Sequence, residues 1–166
     1  MKLHRVLAKG QTNNDGKAGK LRDANHAPPM AGDGYFIPGS HVRDAMGRFI
    51  TWYDEQRVRV ERNETSPVEL AARTSQYLIS IHPFTDGNGR LSRLVMDWVC
   101  RLNQLPPPAL GGPDTKVFAA FGRTTADHGA DSTVTPGSRS VHDAVEAVTR
   151  RLEDSLDRLL SPESVR

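Results

Sequence analysis

Twelve consecutive residues, His82-Pro83-Phe84-Thr85-Asp86-Gly87-Asn88-Gly89-Arg90-Leu91-Ser92-Arg93, gather a base, a carboxylate, a glycine turn and two guanidinium groups. Each part has a use toward phosphate. The N–H groups at a helix start attract anions. Glycines on either side of Asn88 let the backbone bend until successive N–H groups face one concavity. Arg90 and Arg93 lie three apart near that helix start, where fixed positive charge opposes the helix dipole unless an anion sits between them. Asp86 offers a hard oxygen that suits Mg²⁺ on a polyphosphate. His82 is the nearby group able to take a proton at neutral pH. Together these parts describe phosphoryl or nucleotidyl transfer. Singly they are ordinary: a turn, a surface arginine pair, a histidine capping a helix. Their joint occurrence in one short stretch is the signal.

Two helices must hold that stretch. Upstream, Ser66 caps, Pro67 takes the first helical position and Glu69 completes a capping box. Val68, Ala71, Ala72, Ser75, Leu78 and Ile79 form its inner face. Pro83 disfavours helical geometry in the residue before it, so this helix is expected to end near His82. Downstream, a helix starts after Gly87-Asn88-Gly89, with Leu91, Leu94, Val95, Trp98, Val99 and Leu102 as its apolar positions, and ends before Pro106. An earlier helix is expected from an N-cap at Ser40, with Val42, Ala45, Met46, Phe49, Ile50 and Tyr53 on one stripe. It fades into the charged run Asp54–Glu64, read as a solvated surface.

Around these lie weaker signals. Leu3, Val6 and Leu7 read as the last turns of a helix that stops at Gly10. The segment from Gln11 to Pro38 is rich in Gly, Asn, Asp and Pro, and a loose hairpin with turns at Pro28-Pro29 and Gly32–Gly34 is expected there. A short helix around Lys116–Phe121 and a loop over Thr124–Ser138 follow. Val141, Val145, Val148, Leu152, Leu156 and Leu159 then recur at helical spacing, for packing inside the domain or for pairing in an oligomer. The fold class is mainly α, a helical bundle with one small hairpin.

Composition bounds the rest. The 166 residues suffice for one domain, and a formal charge of +2 gives no reason to expect a nucleic-acid partner. The lone cysteine, Cys100, cannot form an internal disulfide; it reads as a small core residue, and a reducing compartment fits. No signal peptide and no membrane span are expected, so the location is the cytoplasm or a host cytosol reached by another route. His4, His26, His41, His128 and His142 show no zinc-site spacing and read as surface or supporting residues.

The twelve residues resemble the Fic family motif His-x-Phe-x-(Asp/Glu)-Gly-Asn-Gly-Arg-x-x-Arg, with every defined position filled. The resemblance extends upstream through Leu3-His4-Arg5-Val6-Leu7, Gly34–Pro38 and the Ala71-Ala72 helix. It implies a single Fic domain with a core of about residues 1–105 and a helical extension over 106–166. It further implies a protein adenylyltransferase that moves AMP from ATP to a Ser, Thr or Tyr hydroxyl of a target protein. By the same resemblance His82 is the general base and Phe84 anchors the loop. Asp86 binds Mg²⁺. Gly87, Asn88 and Gly89 cradle the phosphates, Arg90 steadies the phosphates and leaving pyrophosphate, and Arg93 holds the γ-phosphate. The expected hairpin, Lys20–Ile37, resembles the family's flap, which pairs with a target segment. Transfer of UMP or GMP, other Fic phosphotransfer chemistry, and an idle nucleotide-binding module are the alternatives. Gly89 argues against the kinase-like branch, which places lysine there. The family's inhibitory Ser/Thr-x-x-x-Glu-Gly/Asn helix has no match, which leaves an antitoxin-like partner, another segment, or no inhibition.

Overall fold

The computed structural model describes residues 2–9, 16–27, 29–31, 34–108 and 139–161. Along these run α1 (Lys2–Leu7), β1 (Met30–Ala31), β2 (Gly34–Tyr35), α2 (Gly39–Glu61), α3 (Pro67–Ile81), α4 (Asn88–Leu102) and α5 (Arg139–Leu160). The architecture is mainly helical. The expected short helix near Lys116 and the loop over 124–138 lie outside the described residues.

α3 is the central element, and its neighbours are α2, α4 and α5. Its sequence suits a helix buried on most faces. Ala71, Ala72 and Ser75 allow close approach, and the hydroxyls of Thr74 and Ser80 turn back onto their own helix. Thr74 Oγ1 donates to the Leu70 carbonyl at 2.6 Å, and Ser80 Oγ to that of Gln76 at 2.9 Å. On one side Leu70, Ala71, Ala72, Met96, Val99, Cys100, Val148 and Leu152 join α3, α4 and α5. On the other, Ile37, Val42, Ala45, Met46, Phe49, Tyr77, Leu78, Ile81, Phe84 and Leu91 join α2, α3 and the motif. Burial of Val148 and Leu152 shows that α5 packs inside the domain. Cys100 is fully buried, and burial pushes its thiol up to about 11, as a core residue requires.

Several local expectations change. Pro38, not Ser40, is the N-cap of α2 and offers no side-chain bond. The helix begins two residues earlier than a cap at Ser40 implies, and Gly39 lies against the backbone of Asp23; a Cβ there would fall 1.9 Å from the Asp23 carbonyl oxygen. α2 also continues through the charged run to Glu61, with that run largely solvated. Ser66 does cap α3, accepting the Val68 N–H at 3.2 Å. Glu69, however, turns to Thr65 Oγ1 and to Arg73, so the reciprocal half of the capping box is not made. On α4 the buried stripe runs through Leu91, Met96, Val99 and Cys100, while Trp98 and Leu102 point outward. Trp98 lies beside Tyr53, ring centroids 6.1 Å apart, which accommodates a large aromatic at half exposure. In α1 the apolar residues Leu3 and Val6 are exposed, and His4 and Ala8, four apart, face inward.

The hairpin region contains an antiparallel pair of two residues a side, Met30 opposite Tyr35 and Ala31 opposite Gly34. Lys20–Arg22 takes no strand partner; Arg22 instead donates its backbone N–H to the Pro83 carbonyl at 2.8 Å.

Candidate active site

α3 delivers His82 and α4 begins at the glycine turn, so the motif is the junction of two packed helices. His82 is the C-cap of α3, with φ 49° and ψ 58°. This left-handed conformation is uncommon for a residue with a Cβ. Its N–H closes α3 on the carbonyls of Ile79 and Leu78. Its ring lies 3.8 Å from that of Phe36, and Nδ1 is buried without a hydrogen-bond partner among the described residues. Burial first, then the nearby Arg22 guanidinium, lowers its titration to about 4; the Ile79 carbonyl and the Asp86 charge oppose the shift. The ring is therefore a neutral imidazole at physiological pH.

Phe84 is fully buried and anchors the loop, as expected. Asn88 clamps it: its Oδ1 accepts the Phe84 N–H at 2.9 Å and its Nδ2 donates to the Phe84 carbonyl at 2.8 Å. The Asn88 side chain is thus committed inside the loop, and its backbone N–H is what it offers to an anion. Gly87, the N-cap of α4, has φ 78°, the position where a turn requires glycine. Asn88 and Gly89 follow in the first helical turn, where N–H groups lack intrahelical acceptors. A Cβ on Gly89 would meet no atom within 4 Å, so open space adjoins this turn.

Asp86 is half exposed at the mouth of the turn. Its Oδ1 accepts the Gly87 N–H at 2.6 Å, and its Oδ2 faces Arg90 Nη2 at 3.3 Å. Arg90 and Arg93 line a groove of about 380 Å³ with Leu7, Leu94, Asp97 and Pro108. A larger cavity, about 580 Å³, lies between residues 19–24 and the start of α2 and holds none of the motif residues. Among the described residues no group of three or more His, Cys, Asp or Glu gathers as a metal site. One exposed carboxylate beside the glycine turn is nevertheless a fitting donor set for Mg²⁺, which keeps several waters and takes further ligands from substrate phosphates.

Two supporting residues lie outside the twelve-residue motif. His4 is 1% exposed. Its Nδ1 accepts the Gly19 N–H at 2.9 Å, so Nε2 carries the proton and donates to the Asp86 carbonyl at 2.9 Å. Arg22 is buried at 3% exposure and reaches the carbonyls at the end of α3. The sequence hint for His4 is a polar residue in step with Ala8 on a short helix. Arg22 has none beyond being a lone arginine in a glycine-rich segment.

The chain matches the model of the Fic/DOC family over residues 1–100 and belongs to that family. A uridine 5'-monophosphate transferase of Xanthomonas campestris pv. campestris is 34% identical over 121 residues, covering 70% of this chain and 22% of that protein. The protein adenylyltransferase Fic of Drosophila mojavensis is 37% identical over 82 residues, 49% of this chain and 14% of that one. That of Nematostella vectensis is 29% identical over 118 residues, 68% of this chain and 25% of that one. This chain therefore spans a quarter or less of each of these relatives. Among solved structures, a Fic domain containing signaling protein of Bacteroides thetaiotaomicron superposes with TM-score 0.67 at 21% identity, over 84% of this chain and 55% of that chain. Fic-1 of C. elegans, residues 134–508, does so with TM-score 0.55 at 21% identity, over 92% and 41%. These likenesses show a shared fold. Among the described residues no helix is long and apolar enough to cross a membrane.

Proposed function

We propose that this chain is a protein adenylyltransferase, moving AMP from ATP to a Ser, Thr or Tyr hydroxyl of a target protein. The observation that carries the reading is the placement of a neutral His82 at the end of α3, one short loop from the glycine turn and arginines that open α4. The target hydroxyl attacks the α-phosphorus in line. Its oxygen forms the new P–O bond, the bond to the β-phosphate oxygen breaks, and pyrophosphate leaves. His82 takes the hydroxyl proton, help worth about 10² to 10⁴ in rate. The N–H groups of Asn88 and Gly89, with Arg90 and Arg93, offset the charge that develops on the phosphates. Asp86 would hold Mg²⁺, whose chemistry there is to neutralise phosphate oxygens. The hairpin within Lys20–Ile37 serves as the flap, and a target segment adds to it as a strand.

UMP transfer is the second reading, favoured by the Xanthomonas relative and its alignment over 121 residues. The phosphate-binding turn suits either donor, because it touches no base. The test is intact-mass measurement of a candidate target after incubation with chain, Mg²⁺ and ATP, UTP, GTP or CTP separately. A gain of one AMP with ATP alone supports the first reading. A gain only with UTP replaces it with the second, and no gain with any nucleotide overturns both.

A further inference from the structure

We propose that Arg22 is a positioning residue of the transfer site, fixing the two peptide planes on either side of His82 and thereby aiming its imidazole. The inference rests on the functional reading above and concerns a residue outside the motif. Arg22 Nε donates to the His82 carbonyl at 2.7 Å. Its Nη2 donates to the carbonyls of Ile81 at 3.2 Å and Ile37 at 3.0 Å, and its backbone N–H to that of Pro83 at 2.8 Å. The plane between Ile81 and His82 sets φ of His82, and the plane between His82 and Pro83 sets its ψ. One guanidinium therefore holds both torsions of a residue in the left-handed region, where a side chain costs about 1–2 kcal/mol. The third plane, between Pro83 and Phe84, is tied to the Arg22 backbone.

The nature of the group argues for function. A buried cation is costly unless paired. Among the described residues the partners of Arg22 are all carbonyls, and Nη1 is buried with none. What compensates the charge is the negative end of α3. An apolar side chain of similar volume would fill the space but leave the carbonyls of His82, Ile81 and Ile37 without this donor. A planar fork of donors does what an apolar side chain cannot: it fixes the direction of two carbonyls at once. The fork also joins His82 to Ile37, next to the Phe36 ring that lies against the imidazole. Its positive charge, opposed by Asp86 and by the Ile79 carbonyl, adds to burial in keeping the ring neutral.

The test compares the full chain with Arg22→Lys and Arg22→Met. Three quantities are read: nucleotide affinity by calorimetry with Mg²⁺ and a non-hydrolysable ATP analogue, kcat and KM for transfer, and the titration of the His82 ring by NMR. Arg22→Met is expected to bind nucleotide as the parent does and to lose about 100-fold in kcat, the usual cost of a misaimed reacting group. Its His82 titration is expected to move up toward 6.5. Arg22→Lys keeps the charge without the fork, so it should lose kcat while His82 stays low. Parental kcat in either variant overturns the proposal. So does a loss accounted for wholly by a smaller folded fraction. If Arg22→Met does not fold, Arg22→Lys decides by the same criterion. If the parent transfers nothing, the functional reading fails instead; the NMR comparison then decides, and an unchanged His82 ring resonance in Arg22→Lys overturns the positioning role.

Discussion

The imidazole of His4 lies flat on the ring of Phe84, centroids 3.7 Å apart and planes 4° apart, while its Nε2 donates to the carbonyl of Asp86. Phe84 is fixed from the other side by Asn88. The loop between His82 and the arginines is therefore held by the His4 ring and by the Asn88 clamp. His4→Ala removes the stack and leaves the Asp86 carbonyl without this donor. The expected loss is about 2–3 kcal/mol of stability, read as a lower urea midpoint at unchanged slope. His4→Gln, which keeps a donor without the ring, should lose less.

Asn88→Ala leaves the Phe84 N–H and carbonyl buried and unpaired. Each such group costs about 1–3 kcal/mol, so this substitution is expected to destabilise more than His4→Ala in the same urea titration. Equal or smaller loss would mean that the loop re-pairs these groups.

Gly87 and Gly89 should respond oppositely to alanine. Gly87 sits at φ 78°, so Gly87→Ala should cost about 1–2 kcal/mol of stability. Gly89 is helical with open space at its Cβ position, so Gly89→Ala should leave the melting temperature unchanged or raise it, alanine being better in a helix by about 1 kcal/mol. The same methyl would occupy space at the phosphate turn, and weaker nucleotide binding by calorimetry is expected for Gly89→Ala.

As the proposed base, His82 would set the acid limb of the reaction. A base works only unprotonated, and the ring protonates at about 4, so kcat/KM should hold from pH 7 to 5 and fall by half near pH 4. A limb near 6.5 would show that the ring is more exposed, or Arg22 farther away, than the structure has it. The stability effect has the same sign. The unfolded chain binds this proton from about 6.5 downward and the folded one only near 4, so the His82 contribution is lost as pH falls across that window and is level below it.

What the sequence revealed was what lies contiguously in it. His82, Asp86, the glycine turn and both arginines sit in one stretch whose helix boundaries are marked by Pro83 and Gly87, so motif and flanking helices are legible together. Arg22 and His4 reach the same loop from 60 and 82 residues away, and no local periodicity encodes such a contact. Choosing helix faces by the largest apolar residues placed Trp98 inside, although Met96 and Cys100, four apart, make the seam with α3 and α5. In α1 the buried position is likewise not the largest apolar one: His4 is buried while Leu3 and Val6 are exposed. The early start of α2 was hidden because its N-cap, Pro38, offers no side-chain bond to signal it.

The central claim is that His82 is the base of a nucleotidyl transfer. The most direct measurement is a paired one on the parent and His82→Ala: nucleotide affinity by calorimetry, and transfer by intact mass with the donor that the parent uses. Affinity within experimental error of the parent, with transfer lower by about 10² to 10⁴, is the expected result, since general-base help is what the substitution removes. Transfer by His82→Ala at the parental rate would contradict it.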